Sequence, residues 1–173
     1  MISEYFTKYC SYYLSRYSIT EKKFENILKR KIKKDFFNKK FTKSDYFQYL
    51  NEIEKVLLHY KNMGFFKEES LIDGKIESYI RKGYSKKKIF HYLIKDQFEQ
   101  DLLAKRITEI NNDTELEFIL IENFLKKKSL FNFGEKNLPK KDYFDKILIK
   151  LLKQGFNADI CKKFFKIKNL WNF

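Results

Sequence analysis

Glycine followed directly by an aromatic residue recurs along this chain and constrains its fold more than any other local feature. A glycine at the C-terminus of a helix adopts the left-handed conformation with little strain. The chain has five glycines, and three of them stand in such pairs: Gly64-Phe65, Gly83-Tyr84 and Gly155-Phe156. Each pair therefore predicts the end of one helix and a sharp turn toward the next.

A second pattern predicts where helices begin. A polar residue of the type that caps helices is followed by apolar residues four and eight positions later, which places those side chains on one helical face. It occurs twice after a glycine pair and once without one, as Ser85/Ile89/Leu93, Asn157/Cys161/Phe165 and Thr20/Phe24/Leu28. The two patterns together predict a repeated helix–turn–helix unit, and such repeat proteins usually bind along a surface rather than catalyse.

The predicted fold class is all-α, with little strand signal anywhere in the chain. We expect about nine helices, over residues 3–16, 20–34, 45–62, 67–81, from 85 onward, 97–110, 113–128, 141–153 and 157–167. Residues 35–43 and 129–141 are predicted connections, the second because it contains Gly134, Asn137 and the single proline, Pro139. The helices are expected to form tandem three-helix repeats over residues 1–60, 61–110 and 111–173, arranged as an elongated, curved array.

Local details of these helices can also be predicted. Ser44 or Asp45 is the expected cap of the third helix, and Asp113 or Thr114 is expected to open the seventh. Gly74 lies inside the fourth helix, where glycine costs about 1 kcal/mol relative to alanine. We therefore expect Gly74 to allow close packing of that helix against a neighbour.

A large positive charge indicates the class of partner. Lys and Arg total 37 against 23 Asp and Glu, which gives a formal net charge of +14. Such an excess favours polyanions, either nucleic acid or an acidic membrane surface. The alternative is that part of the excess is simply solvated surface.

The sequence contains no set of residues typical of a catalytic or metal site. Cys10 and Cys161 are far apart, His59 and His91 are isolated, and no CxxC or HExxH spacing occurs. Asp73-Gly74-Lys75 has the Asp-x-Lys spacing of metal-dependent nucleases, but those sites need a rigid strand and further carboxylates. We expect no enzyme activity, no metal and no cofactor, and we expect Cys161 to be a small core residue.

Membrane insertion is not predicted either. The longest clean aliphatic run, at residues 118–121, is far too short to span a bilayer. Charged residues at Glu4, Lys8 and Arg16 interrupt any signal-peptide pattern. We therefore expect a cytoplasmic protein without a membrane partner.

Four segments in the middle of the chain follow one another in a distinctive order. A helix ends in a glycine–aromatic pair at Leu57–Phe65, and an acidic helix start follows at Lys67–Glu69. A basic segment then precedes a glycine at Ile80–Tyr84, and a capped basic helix runs from Ser85 through Ile89 to Leu93. This order resembles that of the RecX family, the modulators of the RecA recombinase.

The two ends of the chain resemble the first and last repeats of the same family. The matching segments are Leu14–Ser18 followed by Phe24 and Leu28–Arg30, and Leu151–Phe156. Three positions depart from the family pattern: Gln97 stands where glycine is usual, Lys67-Glu68 replaces an acidic pair, and the connection at 35–45 is longer.

The resemblance implies tandem three-helix repeats that bind in the groove of RecA–DNA filaments. It implies RecA and the RecA–single-stranded DNA filament as partners, with restraint of recombinase, ATPase and coprotease activity. Double-stranded DNA remains an open alternative partner, and we expect a monomer.

The candidate RecA- and DNA-binding residues are basic side chains in two segments. They are Lys22, Lys23, Lys29, Arg30 and Lys31 in the first, and Arg81, Lys82, Lys86, Lys87 and Lys88 in the second. The second segment is favoured because a glycine turn and a helix start bring its charges together. Lysines at a helix start oppose the helix dipole by about 0.3–1 kcal/mol each, which indicates an anionic partner.

Other binding classes remain open. Tyr84 and Trp171 are the aromatic residues best suited to stack on nucleotide bases, whereas most of the 32 aromatic residues lie at core spacing. A stand-alone nucleic-acid-binding protein is the main alternative. A sequence-specific helix-turn-helix is the weaker version of it, because lysines after Ser85 suit phosphates better than base edges. A scaffold for another acidic protein is the third possibility.

Overall fold

The computed structural model describes residues 2–130 and 141–168, and within these ranges every regular element is an α-helix. The helices are α1 (Glu4–Leu14), α2 (Glu21–Phe37), α3 (Lys43–Asn62), α4 (Glu68–Arg81), α5 (Lys86–Lys95), α6 (Gln100–Asn112), α7 (Leu116–Lys127), α8 (Lys141–Lys153) and α9 (Ala158–Ile167). The predicted all-α class is therefore confirmed.

The chain divides into two compact units. The first comprises Met1–Ile72 together with Asp96–Glu99, and the second comprises Asp73–Lys95 together with Gln100–Phe173. The boundary falls inside α4, and the short segment between α5 and α6 belongs to the first unit. The organisation into three repeats and the elongated array stay predictions.

Helix α2 supplies the centre of the core of the first unit because its apolar residues recur every four positions. Phe24, Leu28 and Ile32 are fully buried, and each contributes about 1.5–3 kcal/mol through removal from water. The same cluster contains buried residues of α1 and α3: Phe6, Cys10, Leu14, Ile53, Val56, Leu57 and Tyr60. The stripe predicted to follow Thr20 is thus the face that α2 turns inward.

The second unit buries apolar residues from α5, α7, α8 and α9. Ile89 and Leu93, the pair predicted to follow Ser85, have no exposed surface. At most 1% of the surface is exposed at nine other apolar side chains of these helices: Leu120, Ile121, Leu125, Phe144, Ile147, Leu151, Cys161, Phe164 and Phe165. The predicted core role of Cys161 is confirmed by its complete burial.

All three glycine–aromatic pairs end helices, as predicted. The glycines have φ values of 75° at Gly64, 65° at Gly83 and 91° at Gly155, and all three lie in the left-handed region. At Gly83 the backbone N–H donates to the Ile80 carbonyl at 2.9 Å, and the next N–H donates to the Tyr79 carbonyl at 3.1 Å. These paired bonds form a Schellman end, which satisfies carbonyls that the helix itself leaves unpaired.

Gly83 is required for a second reason. A Cβ atom at this position would lie 2.2 Å from the backbone nitrogen of Phe124 in α7. Helix α7 can therefore approach the turn only because residue 83 has no side chain. The Nδ2 atom of Asn123 donates to the Ile80 carbonyl at 2.9 Å and fixes the same approach.

Helix starts agree with the sequence except at α3, α6 and α7. Helix α6 begins at Gln100 rather than at residue 97. The cap position of α7 is Glu115, not Asp113 or Thr114, although Asp113 Oδ1 accepts from the N–H groups of Glu115 and Leu116. Thr20 and Asn157 accept hydrogen bonds from backbone N–H groups of α2 and α9, as predicted. For α3 the predicted caps are wrong: Thr42 is the cap, because its hydroxyl accepts from the Asp45 N–H at 3.2 Å. Asp45 accepts in return from the Thr42 N–H at 2.8 Å, so the two residues form a capping box that Ser44 could not make.

Two other expectations need correction. Helix α2 continues to Phe37, three residues into the predicted connection, and Asp35 in this extension is buried and paired with Lys31 and Lys40 rather than exposed in a loop. The prediction that Gly74 allows close packing is wrong, since a Cβ atom there would meet no described residue within 4 Å. Of the predicted connection at 129–141, residues 131–140 lie outside the described residues.

Candidate functional site

Residues Arg81–Lys88, which we call the basic turn, join α4 to α5. Arg81 ends α4, Gly83 reverses the chain, and the Ser85 hydroxyl accepts from the Lys88 N–H at 3.3 Å to cap α5. The first turn of α5 holds three successive lysines and no acidic residue. The predicted glycine turn and the capped helix start are therefore confirmed, and the gathering of these charges into one site stays a prediction.

Three of the four lysines of the basic turn, Lys82, Lys86 and Lys88, are held by neutral groups. Lys86 Nζ donates to the carbonyls of Asn111 at 3.3 Å and Asp113 at 2.5 Å, at the end of α6. Lys88 Nζ donates to the side-chain amide oxygen of Gln154 at 2.8 Å, and Lys87 is exposed. Within the described parts of the chain, no salt bridge joins Lys82, Lys86, Lys87 or Lys88 to a carboxylate. Their charges are therefore left largely uncompensated.

Arg81, the remaining candidate of this segment, has a carboxylate partner. Its guanidinium lies 3.4 Å from a Glu77 carboxylate oxygen, and both side chains are 70% exposed. An exposed pair of this kind is weak and is easily exchanged for another anion. Arg81 therefore remains able to contact a ligand.

Tyr84 of the basic turn forms a ring cluster with two further tyrosines, Tyr79 and Tyr92. The rings of Tyr79, Tyr84 and Tyr92 are mutually 5.5–5.7 Å apart between centroids, with interplanar angles of 20–31°. Lys88 Nζ lies 4.4 Å from the Tyr84 ring centroid, and Lys82 Nζ lies 6.0 Å from it. Cation–π attraction keeps both ammonium groups at the rings. Tyr84 is half-buried in this cluster, and base stacking by it stays a prediction.

Three basic residues in the first half of α2 have carboxylate partners. Glu25 accepts from Lys22 at 2.7 Å and from Lys29 at 2.5 Å, and these hydrogen bonds lower the pKa of Glu25 below its ordinary value. Lys23 Nζ lies 2.6 Å from a carboxylate oxygen of Asp96. These three candidates therefore present less net charge than their number suggests.

The last two candidates lie further along α2. Lys31 donates to the buried Asp35 carboxylate at 2.7 Å, and its ammonium lies 4.5 Å from the Tyr9 ring centroid. Arg30 is exposed and donates through Nε to the Asn26 carbonyl at 3.3 Å. Arg30 and Lys31 are neighbours in a surface groove that is separate in sequence from the basic turn.

The start of α2 is anchored by contacts to the segment between α5 and α6. Thr20 Oγ1 donates to the Asp96 carbonyl at 2.8 Å, while Lys23 Nζ binds the carboxylate of the same residue. The next residue, Gln97, is left-handed with a φ of 57°. This is the position where the resemblance led us to expect glycine, and α6 begins only at Gln100 because the chain turns here.

The start of α5 is anchored by the same contacts in the second unit. Ser85 Oγ donates to the Gln154 carbonyl at 2.7 Å, while Lys88 Nζ binds the side chain of the same residue. The next residue, Gly155, is again left-handed. The two anchors differ in charge, because the acceptor side chain is a carboxylate in the first unit and an amide in the second.

Gln154 and Asp96 were missed by sequence reasoning. Each lies about 70 residues from the lysine it binds, at separations of 66 and 73 positions. The only sequence signal is that each precedes a turn residue and then a phenylalanine, as Asp96-Gln97-Phe98 and Gln154-Gly155-Phe156.

Glu117 is another residue that the sequence did not single out. Burial raises the pKa of the Glu117 carboxyl, and the positive charge of Lys86 opposes that rise. Within the described residues its Oε2 atom is buried without a hydrogen-bond partner. Glu117 therefore interacts electrostatically with Lys86 of the basic turn, and within the described residues the two form no salt bridge.

The Asp-x-Lys triplet has a structural explanation. Arg106 donates through Nε and Nη2 to the two carboxylate oxygens of Asp73, at 2.7 and 3.0 Å. This bidentate pair joins α6 to α4. Within the described residues, no group of three or more His, Cys, Asp or Glu side chains is placed to hold a metal ion.

The two cysteines lie in the cores of the two units. Burial raises the pKa of both Cys10 and Cys161 to about 12, so neither thiol ionises near neutral pH.

Among the described helices, none combines the length and apolarity needed to cross a bilayer. Trp171, the second proposed stacking residue, lies outside the described residues.

No family model, curated protein or solved structure matches this chain. The resemblance to the RecX family therefore rests on the residues quoted for it and on no broader similarity.

Proposed function

We propose that this protein is a RecX-like regulator that binds RecA and the RecA–single-stranded DNA filament and inhibits recombinase, ATPase and coprotease activity. The basic turn carries the contact, and Lys22, Lys23, Lys29, Arg30 and Lys31 of α2 contribute less. The supporting observation is that neutral partners position Lys82, Lys86 and Lys88 and that Lys87 is exposed, so their charges remain available to an anion. The order of motifs around this turn supports the choice of RecA as the partner.

The physical case for a polyanionic filament has two parts. Three lysines in the first turn of α5 oppose the helix dipole, by about 0.3–1 kcal/mol each, and a bound anion would relieve that opposition. Contacts between these lysines and phosphates would also release counterions, so binding should weaken steeply as salt is raised. Such a regulator acts in the cytoplasm as a monomer and requires no cofactor.

The direct experiment measures RecA-dependent ATP hydrolysis on single-stranded DNA as the protein is added. We expect inhibition at well below one protein per RecA, and we expect the Lys86→Glu/Lys87→Glu/Lys88→Glu variant to lose it. A matched control variant, Lys33→Glu/Lys43→Glu/Lys55→Glu, reverses the charge at three exposed lysines outside the basic turn. The control should inhibit like the wild type. Equal loss in both variants would indicate a response to net charge and would reject the assignment of the basic turn.

A second candidate function is favoured by the tyrosine cluster. Aromatic rings with ammonium groups beside them are typical of proteins that bind single-stranded nucleic acid without a second protein. If the wild type leaves RecA activity unchanged but binds an oligothymidylate tightly at low salt, this alternative replaces the RecA proposal. Nuclease treatment of a pull-down separates both from a scaffold for an acidic protein.

A further inference from the structure

A groove of about 450 Å³ lies on the first unit, beside the C-terminal half of α2. Its lining residues are Tyr9, Ile27, Arg30, Lys31, Lys34, Asp35 and Lys40. The volume lies in the range of about 300–1,000 Å³ that is usual for small-molecule sites. The groove has an apolar side, made by Tyr9 and Ile27, and a strongly basic side.

The charge of the groove is unbalanced. Four of its side chains are cationic and one is a carboxylate, which leaves a net charge of +3. Within the described residues, neither Arg30 nor Lys34 forms a salt bridge. Both are exposed, and their spacing of four places them on one face of α2.

The single carboxylate organises the remaining cations. Asp35 is buried, and it accepts from Lys31 at 2.7 Å and from the Tyr5 hydroxyl at 3.0 Å, while Lys40 lies 3.0 Å from its other oxygen. Burial disfavours ionisation of Asp35, but these hydrogen bonds outweigh it and hold its pKa below the ordinary value. Lys39 is left-handed and turns the chain, which returns Lys40 to the end of α2.

We propose that this groove is a binding site for a small anion that carries two or more phosphate groups. Arg30 and Lys34 would bind phosphate oxygens directly, and the ammonium groups held by Asp35 would complete the basic wall at little entropic cost. Tyr9 and Ile27 would contact the organic part of such a ligand. This inference does not depend on the proposed action on RecA.

The test titrates pyrophosphate and ADP into the protein by calorimetry at one fixed ionic strength. The groove variant is Arg30→Gln/Lys34→Gln, in which both side chains are exposed and the Asp35 cluster is untouched. The control variant is Lys33→Gln/Lys55→Gln, which removes the same charge from exposed positions of the same unit outside the groove. Thermal unfolding of all three proteins shows that each is folded.

We expect saturable binding at one site, weakened by about tenfold or more in the groove variant and by less than about twofold in the control. ADP should bind more tightly than pyrophosphate, because it adds apolar contacts. Equal weakening in both variants, or binding that does not saturate at one site, would overturn the proposal. The proposal would also be overturned if the groove variant weakened binding of an oligothymidylate but not of pyrophosphate or ADP. The groove would then bind the phosphates of a nucleic acid and not those of a small anion.

Discussion

Helices α2 and α5 begin in the same way but present different charge. Each starts at a hydroxyl residue, Thr20 or Ser85, whose Oγ donates to a carbonyl that precedes a left-handed residue. In each, the third residue after the cap is a lysine that binds the side chain of the carbonyl residue. The shared geometry shows that these contacts hold helix starts in place and are not themselves a mark of function.

The two helix starts differ in the side chain that accepts the hydrogen bond from the lysine. Asp96 neutralises Lys23, whereas Gln154 holds Lys88 at a similar distance and leaves its charge intact. The first turn of α2 also has Glu21, whereas the first turn of α5 has no acidic residue. A count of lysines would rank the two segments as equal, but the structure leaves more uncompensated positive charge on the second.

The largest expected loss of stability concerns Gly83, the glycine of the basic turn. Gly83→Ala introduces a Cβ atom 2.2 Å from a backbone nitrogen in α7 and a side chain at a φ of 65°. We expect the free energy of unfolding to fall by more than about 3 kcal/mol, because neither backbone can move cheaply. Urea denaturation measures this loss. A loss below about 1 kcal/mol would show that the turn can relax and does not fix the basic residues.

The next largest expected effect concerns the contribution of the buried Asp35 carboxylate, and of its ion pairs with Lys31 and Lys40, to the free energy of unfolding. Asp35→Asn should lower the free energy of unfolding by about 1–3 kcal/mol at pH 7, because a buried, charge-assisted cluster is lost. The folded-state pKa of Asp35 lies below its ordinary value of 3.8, so its contribution is present above that pH and is lost as the pH falls through the folded value. Urea denaturation from pH 7 to pH 3 should therefore show the two proteins converging. A constant difference across that range would contradict the ion-pair explanation.

A smaller effect is expected at Glu117, the carboxylate whose pKa is influenced by the charge of Lys86. The raised pKa of Glu117 means that the fold disfavours its charge, and this cost appears as the pH rises above the ordinary value of 4.5. Glu117→Gln should therefore stabilise the protein at pH 7 by about 1 kcal/mol and have no such effect below pH 4. It should also tighten anion binding by the basic turn. Weaker binding would show that Glu117 helps to position Lys86.

The smallest effect serves as the control for Gly83. Gly74→Ala fills open space in the middle of α4, so we expect a gain in stability of about 0.5–1 kcal/mol from helix propensity alone. Thermal unfolding should show a higher midpoint. A destabilised variant would mean that Gly74 has a packing role that this structure lacks.

Local features of the fold could be predicted from the sequence, and distant contacts could not. Thr20, Ser85 and Asn157 were recognisable as caps because capping depends on residues within one helical turn. Lys39, Gln97 and Ser129 are left-handed without being glycine, so no residue type marked those turns. The neutralisation of Lys23 by Asp96 required the tertiary structure, because no helical spacing relates residues 73 positions apart.

The most direct test adds a negative charge at Gln154, which binds Lys88, and in a separate variant removes the negative charge of Asp96, which binds Lys23. The affinity for RecA-coated oligothymidylate, with uncoated oligothymidylate in parallel, is measured over a range of salt for the wild type, Gln154→Glu and Asp96→Asn. Gln48→Glu, at an exposed position of α3, serves as the control for added negative charge. We predict that Gln154→Glu weakens binding and reduces the salt slope by about 0.7, the value for one phosphate contact on a single strand. Gln48→Glu should leave both unchanged, and Asp96→Asn should bind at least as tightly as the wild type. Unchanged binding by Gln154→Glu, or the same loss in Gln48→Glu, would contradict the assignment of the basic turn as the anion-binding surface.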